Sequence, residues 1–584
     1  MEFIRITAWS CHRDISSCDS SFVVLERGMK MRRKSIEGKC LSGVALAAVF
    51  LPTVCLAAPA MPDSAGTQIS RDREILERER LRQQIEDDQE RAKEEKVTDK
   101  QDKEGTAAQS ENIHFRLEQL TKDDSDILTA EKFNALVASY LGKDVTIEDL
   151  TALVNKINEY YSREGYITCR AYLKPQTITD GTLHISLSEG RTGKVTLTGN
   201  NSTHAEYVHS RLHLKPGKVQ NINELNKDLA FFNGTNDAQL KITLQAGEEP
   251  GTTDYALVLK EPPRMDMTLY VNNDGQESTG RWQTGFFFRY RSITKNQDDF
   301  TIGGLRSTGM DSINFRYDIP TSPKGPKISL DYSTNGTKTV NGLWKDMLKG
   351  HASSFGVTLT QPISVNYTNR SEASLGYRHQ TSTNTLLNIR DLVNYSVDGI
   401  TAAFAQTNYS RNSVYYQRYA YTFDRWKDNV GGADKTVSLG KINAFYHHRF
   451  GGGQTLFTSL NFQWAPSKDL PSAEKFNIGG AGTIRGYEEN LLSGTGGIVL
   501  SAEYSVPLEK SGMWQLFGFL DGGKVYGADD YVKDEALLST GLGIRYQWRK
   551  NISASLTIGF PLKREINGTE CDRSRIHFTC VGRF

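Results

Sequence analysis

Between residues 112 and 263 the spacing of apolar positions switches repeatedly between a helical and a strand period. Phe133, Leu136, Val137, Tyr140 and Leu141 recur at helical spacing, and Gly142 stops them. Thr146 with Asp149 is placed to cap a second helix, whose apolar face is Leu150, Leu153, Val154, Ile157, Tyr160 and Tyr161 and whose end is Gly165. The period then becomes two: Ile167, Cys169, Ala171 and Leu173 alternate with polar residues, as do Leu183, Ile185 and Leu187, with Asp180-Gly181 as a turn between them. With an opening strand at 113–117, the stretch 112–190 predicts a small β-α-α-β-β module. The stretch 191–263 repeats the plan, with a strand at Val195 and Leu197, helices at 205–212 and around Leu225, Leu229 and Phe232, and strands through Leu240–Leu244 and Tyr255–Leu259. Small sheets with helices on one face suit binding modules that accept an extended peptide at a free edge.

From 264 to 584 helical periodicity largely vanishes. Strands of the length needed by a tilted membrane strand are predicted to begin near 265, 282, 298, 311, 327, 353, 370, 400, 415, 436, 454, 497, 514, 536, 552 and 574. Their connections alternate short (410–413, 451–453, 508–512, 550–551) with long (335–352, 382–399, 465–496, 562–573). Short turns at one rim and long loops at the other are the plan of an outer-membrane barrel. A soluble β-sandwich would need continuous apolar faces that this stretch lacks. In the last segment Ile576, Phe578, Cys580 and Phe584 share one face, suited to lipid, and Arg575, His577, Thr579 and Arg583 the other, suited to a wet lumen.

The first residues are of a different kind. Met29 precedes Lys30, Arg32, Arg33 and Lys34, and an apolar stretch from Leu41 to Leu56 ends in small residues. This is the layout of a secretory signal peptide over 1–57, cleaved after Ala57. A signal anchor is the alternative, disfavoured by the short stretch and by Pro52. Translation from Met29 or Met31 would make the preceding residues an extension. Residues 70–96 are nearly all charged or Gln, with helix-favouring composition and pairs such as Arg73 with Glu77 and Glu74 with Arg78. The apolar stripe Leu76, Leu81, Ile85 is too thin for a core. A solvated helix and a helix inside a wet pore both fit. Residues 97–111 form a polar linker.

Composition narrows the function classes. The chain has 584 residues, with 70 Lys+Arg against 69 Asp+Glu, so no basic field calls for nucleic acid. Mean hydropathy is −0.49, and no helix-length apolar run follows Ala58, which excludes a polytopic helical membrane protein but not a barrel. Cys11, Cys18, Cys40 and Cys55 fall within the leader. Cys169 reads as a core strand residue, whereas Cys571 and Cys580 are either bridged or two free thiols. No Walker loop, HExxH, GxSxG or CxxC is present, and His447-His448 on a strand points to opposite faces. The reading is therefore not an enzyme, with no cofactor and no metal.

Two motifs stand out. The long loop after the strand near 454 contains Ile484-Arg485-Gly486-Tyr487, and the strand near 514 contains Phe519-Leu520-Asp521-Gly522-Gly523. Trp514, Leu516, Gly518 and Leu520 share the lipid face, which turns Phe519 and Asp521, and with them Gly523, into the lumen. A lumenal carboxylate invites a cation, and Arg485, on a glycine-rich sixth external loop able to fold inward, is the candidate; a surface arginine on a mobile loop with an unrelated wall acid is the alternative.

With its leader, charged helix, two αβ modules, sixteen strands and these two motifs, the chain resembles the outer-membrane transporters of two-partner secretion (TpsB; the haemolysin-activator and filamentous-haemagglutinin transporter group), over nearly everything after the leader. The resemblance implies POTRA modules in the periplasm and a membrane β-barrel in the outer membrane. It implies an Arg485–Asp521 pair, an N-terminal helix that plugs the pore at rest, and a large exported partner protein (TpsA-type) recognised by the modules. By position, recognition falls near Leu150, Val154, Ile157, Tyr161, Ile167, Ala171 and Leu173, although plain module core accounts for apolar residues there as well. Outer-membrane lipids and the barrel-assembly machinery would be further partners. The cargo is open between a haemolysin, an adhesin and a contact-dependent toxin. The alternatives are an assembly factor (insertase) of the related superfamily and a diffusive porin.

Overall fold

The computed structural model describes residues 65–71, 74–75, 98–99, 114–467, 469–528, 534–549 and 551–584. The leader, nearly all of the charged 70–96 stretch and most of the linker lie outside the described residues.

Sixteen antiparallel strands close into one barrel. They are β1 Met265–Asn272, β2 Gln283–Arg291, β3 Asp299–Ser307, β4 Met310–Pro320, β5 Lys327–Lys338, β6 Leu348–Val365, β7 Asn369–Leu386, β8 Arg390–Tyr409, β9 Ser413–Asp428, β10 Asp434–Arg449, β11 Thr455–Trp464, β12 Gly496–Pro507, β13 Trp514–Tyr526, β14 Ala536–Trp548, β15 Ile552–Pro561 and β16 Arg575–Arg583. The alternation sorts as hydrophobicity demands. Leu375, Ile400, Phe423, Leu500, Leu520, Leu542 and Ile576 stand exposed outside, whereas Asn335, Gln380, Asp424, Asp521 and Arg575 are buried within. Among the described residues no helix is long and apolar enough to cross a membrane; the strands do so.

Two expected loops are shorter than predicted. β5 continues to Lys338 and β6 begins at Leu348, and β7 and β8 pair up to Leu386↔Arg390. The stretch expected as a loop over 382–399 is thus almost entirely strand. Its Ser, Thr and Asn residues carry no amphipathic contrast, so period two is silent there, while the ladder hydrogen bonds still form. The wall closes where β16 meets β1, from Thr268↔Arg583 to Asn272↔Thr579. Beyond that ladder the Asn273 carboxamide bridges to β16, accepting from Phe578 N–H and donating to the Ile576 carbonyl.

The first module contains α1 (Ala130–Val137) and α2 (Ile147–Arg163). The Thr146–Asp149 capping box forms reciprocally, at 3.1 and 2.9 Å. The helices cover a sheet of Gln119–Lys122, Thr182–Glu189 and Cys169–Tyr172. The second module packs α3 (Ala205–His209) and α4 (Ile222–Thr235) over a sheet in which Gln239–Ala246 pairs in parallel with the linker residues Thr98–Asp99. This module is pinned to the barrel rim. Arg289 and Arg291 of β2 donate to Asp237 at 2.6 and 2.9 Å, and Arg370 of β7 to the Gly234 carbonyl at 2.8 Å. Cys169, Cys571 and Cys580 are free thiols, which decides against a Cys571–Cys580 bridge in this structure. Cys571 packs beside the lumenal cluster that holds Tyr487, whereas Cys580 lies on β16 in phase with outward-facing Ile576.

Candidate functional site

The loop between β11 and β12, over 465–495, folds back into the lumen. Its tip is held by strands whose inward positions carry the matching chemistry. Asp521 of β13 lies opposite Ser501 of β12 and Ser539 of β14, and none of it is exposed. Arg485 Nε and Nη2 donate to the two Asp521 oxygens at 2.8 and 2.9 Å, a two-pronged pair whose planar geometry arginine supplies and lysine does not. The Arg485 backbone N–H adds a third bond to Asp521 at 3.1 Å, and Ser501 Oγ donates a fourth at 2.6 Å. The guanidinium carbon sits 3.6 Å from the Phe519 ring centre. Arg485 Nη1 also donates to Glu503 of β12 at 2.6 Å, and Glu503 accepts from Arg545 of β14 at 2.9 Å.

The neighbours of Arg485 fix the tip by shape. Ile484 is fully buried with Val499, Val525 and Leu537; a side chain at Gly523 would strike it at 2.8 Å. Gly486 has φ +94° and rests on Gly559 of β15, so a Cβ at position 486 meets both strain and backbone at 3.0 Å. Tyr487 Oη donates toward the carbonyls of Leu538 and Lys563, at 2.9 and 2.7 Å. Both sequence motifs therefore meet at one place. Glu503, Ser501 and Arg545 were not singled out from sequence: their inward parity is readable, but the register that sets them beside Asp521 is not.

A helical segment at 65–71 shares the lumen, slightly before the stretch expected to be helical. Ala65 and Ile69 are fully buried and pack on Ala352 of β6. Gly350 of β6 lets the helix approach, since a Cβ there would lie 2.8 Å from that of Ala65. Asn335 of β5 donates to the Ala65 carbonyl at 3.1 Å. Arg71 donates to the Asp274 carbonyl at 2.6 Å and pairs with Glu489 of the loop at 3.4 Å. Carboxylates of Asp274 and Glu489 and the His577 ring converge within 4.8 Å. A metal is not the better occupant. His577 Nε2 accepts from Gly486 N–H at 3.3 Å, which leaves the proton on Nδ1, 3.5 Å from Asp274, and Arg71 supplies the positive charge.

The residues named for partner recognition sit mostly inside the first module. Leu150, Ile157, Tyr161 and Ala171 are buried, and Val154 and Leu173 are half-buried in the same core. Ile167 packs instead on the core of the second module. Their apolar character thus serves packing, and the exposed side chains of this strand are Arg170 and Tyr172. The edge strand Cys169–Tyr172 is shorter than the expected 167–173, and it is not bare. Asn158 of α2 accepts from Ala171 N–H at 2.7 Å and donates to its carbonyl at 3.1 Å, as a neighbouring strand would.

Residues 251–546 match the family model described as haemolysin secretion/activation protein ShlB/FhaC/HecB, and residues 115–190 match the POTRA domain of ShlB type. The chain is similar to the heme/hemopexin transporter protein HuxB of Haemophilus influenzae, 24% identical over 80% of this chain and 87% of that one. It is similar to the outer membrane transporter CdiB of Escherichia coli at 24% identity, over 78% of this chain and 80% of that one. The solved structure of CdiB from Escherichia coli superposes with a TM-score of 0.66 at 20% identity, covering 90% of this chain and 99% of that one, and so shares the fold.

Proposed function

The chain belongs to the haemolysin secretion/activation protein family ShlB/FhaC/HecB, and we propose that it exports one large TpsA-type exoprotein, unfolded, through its barrel. It is an outer-membrane β-barrel transporter of two-partner secretion, with POTRA modules in the periplasm. The modules collect the cargo, and the sixth loop and the plug helix hold the pore shut until it arrives. Folding of the cargo outside biases its motion outward, so transport rather than catalysis is assigned and no cofactor is needed. The cargo is of the haemolysin, adhesin or contact-dependent toxin kind, and the likeness to a heme/hemopexin transporter adds a heme/hemopexin-related exoprotein to these. Lipids surround the barrel, and the assembly machinery inserts it.

One observation carries the reading: a buried ionic lock is not required to stabilise a closed barrel, yet Arg485, Asp521 and Glu503 spend buried charges on fixing a loop in the lumen. Asp521→Ala is expected to leave an inserted, heat-modifiable barrel at normal abundance while export of the adjacent-encoded exoprotein falls at least tenfold. Normal export by that variant overturns the role. Depletion of the chain is expected to leave other outer-membrane proteins at normal levels, the outcome that an assembly factor would not give.

A further inference from the structure

The sixth loop meets the wall at a second place, outside the Arg485 site. Its first arm makes a turn at Ser472–Glu474, and the Glu474 side chain is 2% exposed. Arg378 of β7 reaches Glu474 at 2.6 Å and Asp424 of β9 at 3.1 Å. Lys441 of β10 lies 3.8 Å from the other Glu474 oxygen. Ala473 packs on Tyr395 and Val397 of β8. Gln463 of β11 donates to the carbonyls of Glu474 and Thr495, at 2.7 and 2.9 Å, and so ties the arm to the end of the loop. A buried carboxylate needs such partners to stay charged, and its removal from them is strongly unfavourable.

We propose that Glu474 is a second positioning residue for export: with Arg378 and Lys441 it docks the first arm of the loop on β7–β10, independently of the Arg485 anchor on β12 and β13. The loop is then strapped to two sectors of the wall, while the helix at 65–71 rests on a third, β5 and β6. Withdrawal of the helix leaves the loop in place, and the vacated channel lies between the loop and the β1–β6 wall. This inference rests on the transport reading for its link to export, but the docking itself is measured without cargo.

The test uses the full-length chain in outer membranes, with Cys571 and Cys580 replaced by serine and Ala473→Cys as the reporter. A membrane-impermeant maleimide is added from outside. The reporter is expected to be protected in this background and to stay protected with Asp521→Ala. With Glu474→Gln it is expected to label at least tenfold faster, in a barrel that still shows its heat-dependent mobility, and export is expected to fall at least tenfold. The pair Arg378→Gln with Asp424→Asn attacks the dock from the wall side and is expected to expose the reporter equally. Continued protection in both Glu474→Gln and the wall pair overturns the dock, and exposure by Asp521→Ala overturns its independence. An exposed reporter with undiminished export overturns the role in export. A parent chain that exports nothing removes the transport reading and leaves the labelling result standing.

Discussion

At Asp521 one carboxylate without exposed surface accepts from a guanidinium, a backbone N–H and a serine hydroxyl together. Enclosure decides its worth: an exposed pair of this kind contributes about 0–1 kcal/mol, whereas removing one partner of an enclosed pair costs about 3–5 kcal/mol. Glu503 shares its charge between Arg485 and Arg545. Glu503→Gln keeps one acceptor oxygen for one of the two arginines and loses the other bond and the charge; it is expected to weaken the loop by about 1–3 kcal/mol, read as export intermediate between the parent chain and Asp521→Ala. In the first module, burial and then the nearby Glu189 charge push the Cys169 thiol up to about 12. Maleimide at pH 8 is expected to leave Cys169 unlabelled until denaturant is added. Sequence alternation was enough to turn Asp521 inward, while Arg485 was a candidate through its charge and its glycine-rich loop, and the pairing came from the family resemblance. Alternation was not enough for Glu503, Ser501 or Glu474, because contacts across a barrel depend on register and on the path of a loop, and neither has a period.

Strands read well where one side meets lipid and the other water, as at β13, whose outer Leu516 and Leu520 alternate with inner Phe517 and Phe519. They read poorly in the upper halves of β7 and β8, where both sides are polar. The helix at 65–71 was missed for the opposite reason: its pattern is short, and charge content pointed further along the chain. Ala65 and Ile69 are buried against the wall, and Arg71 ties the far end of the helix to Asp274 and Glu489 by polar contacts. Arg71→Ala is expected to raise the frequency of open events in planar-bilayer conductance without changing barrel heat stability. Asn158 was equally illegible, since a helix residue that completes a strand edge looks like any exposed polar position. Asn158→Ala strands the Ala171 N–H and carbonyl, and is expected to cost about 1–3 kcal/mol locally, seen as faster amide exchange over 169–172.

Across the whole molecule, the second module is fixed to the barrel through Asp237. Burial opposes its charge, but Arg289 and then Arg291 hold its carboxyl well below the usual carboxylate range. A lowered folded value contributes stability that is complete above the unfolded value of about 3.9 and is lost only as pH falls through the folded one. The joint is therefore expected to persist at pH 4, with unchanged spin-label distances between module and rim, and to open in Asp237→Ala at pH 7.

Closure of the wall by β16 on β1 carries a consequence for biogenesis. The strand made last among the sixteen completes the ladder begun by the first. Until it arrives, a nascent chain in the periplasm presents unpaired ladder edges, the template for aggregation. A partial cylinder therefore keeps two open edges until β16 pairs with β1, and whatever escorts the chain or inserts it has those edges to cover.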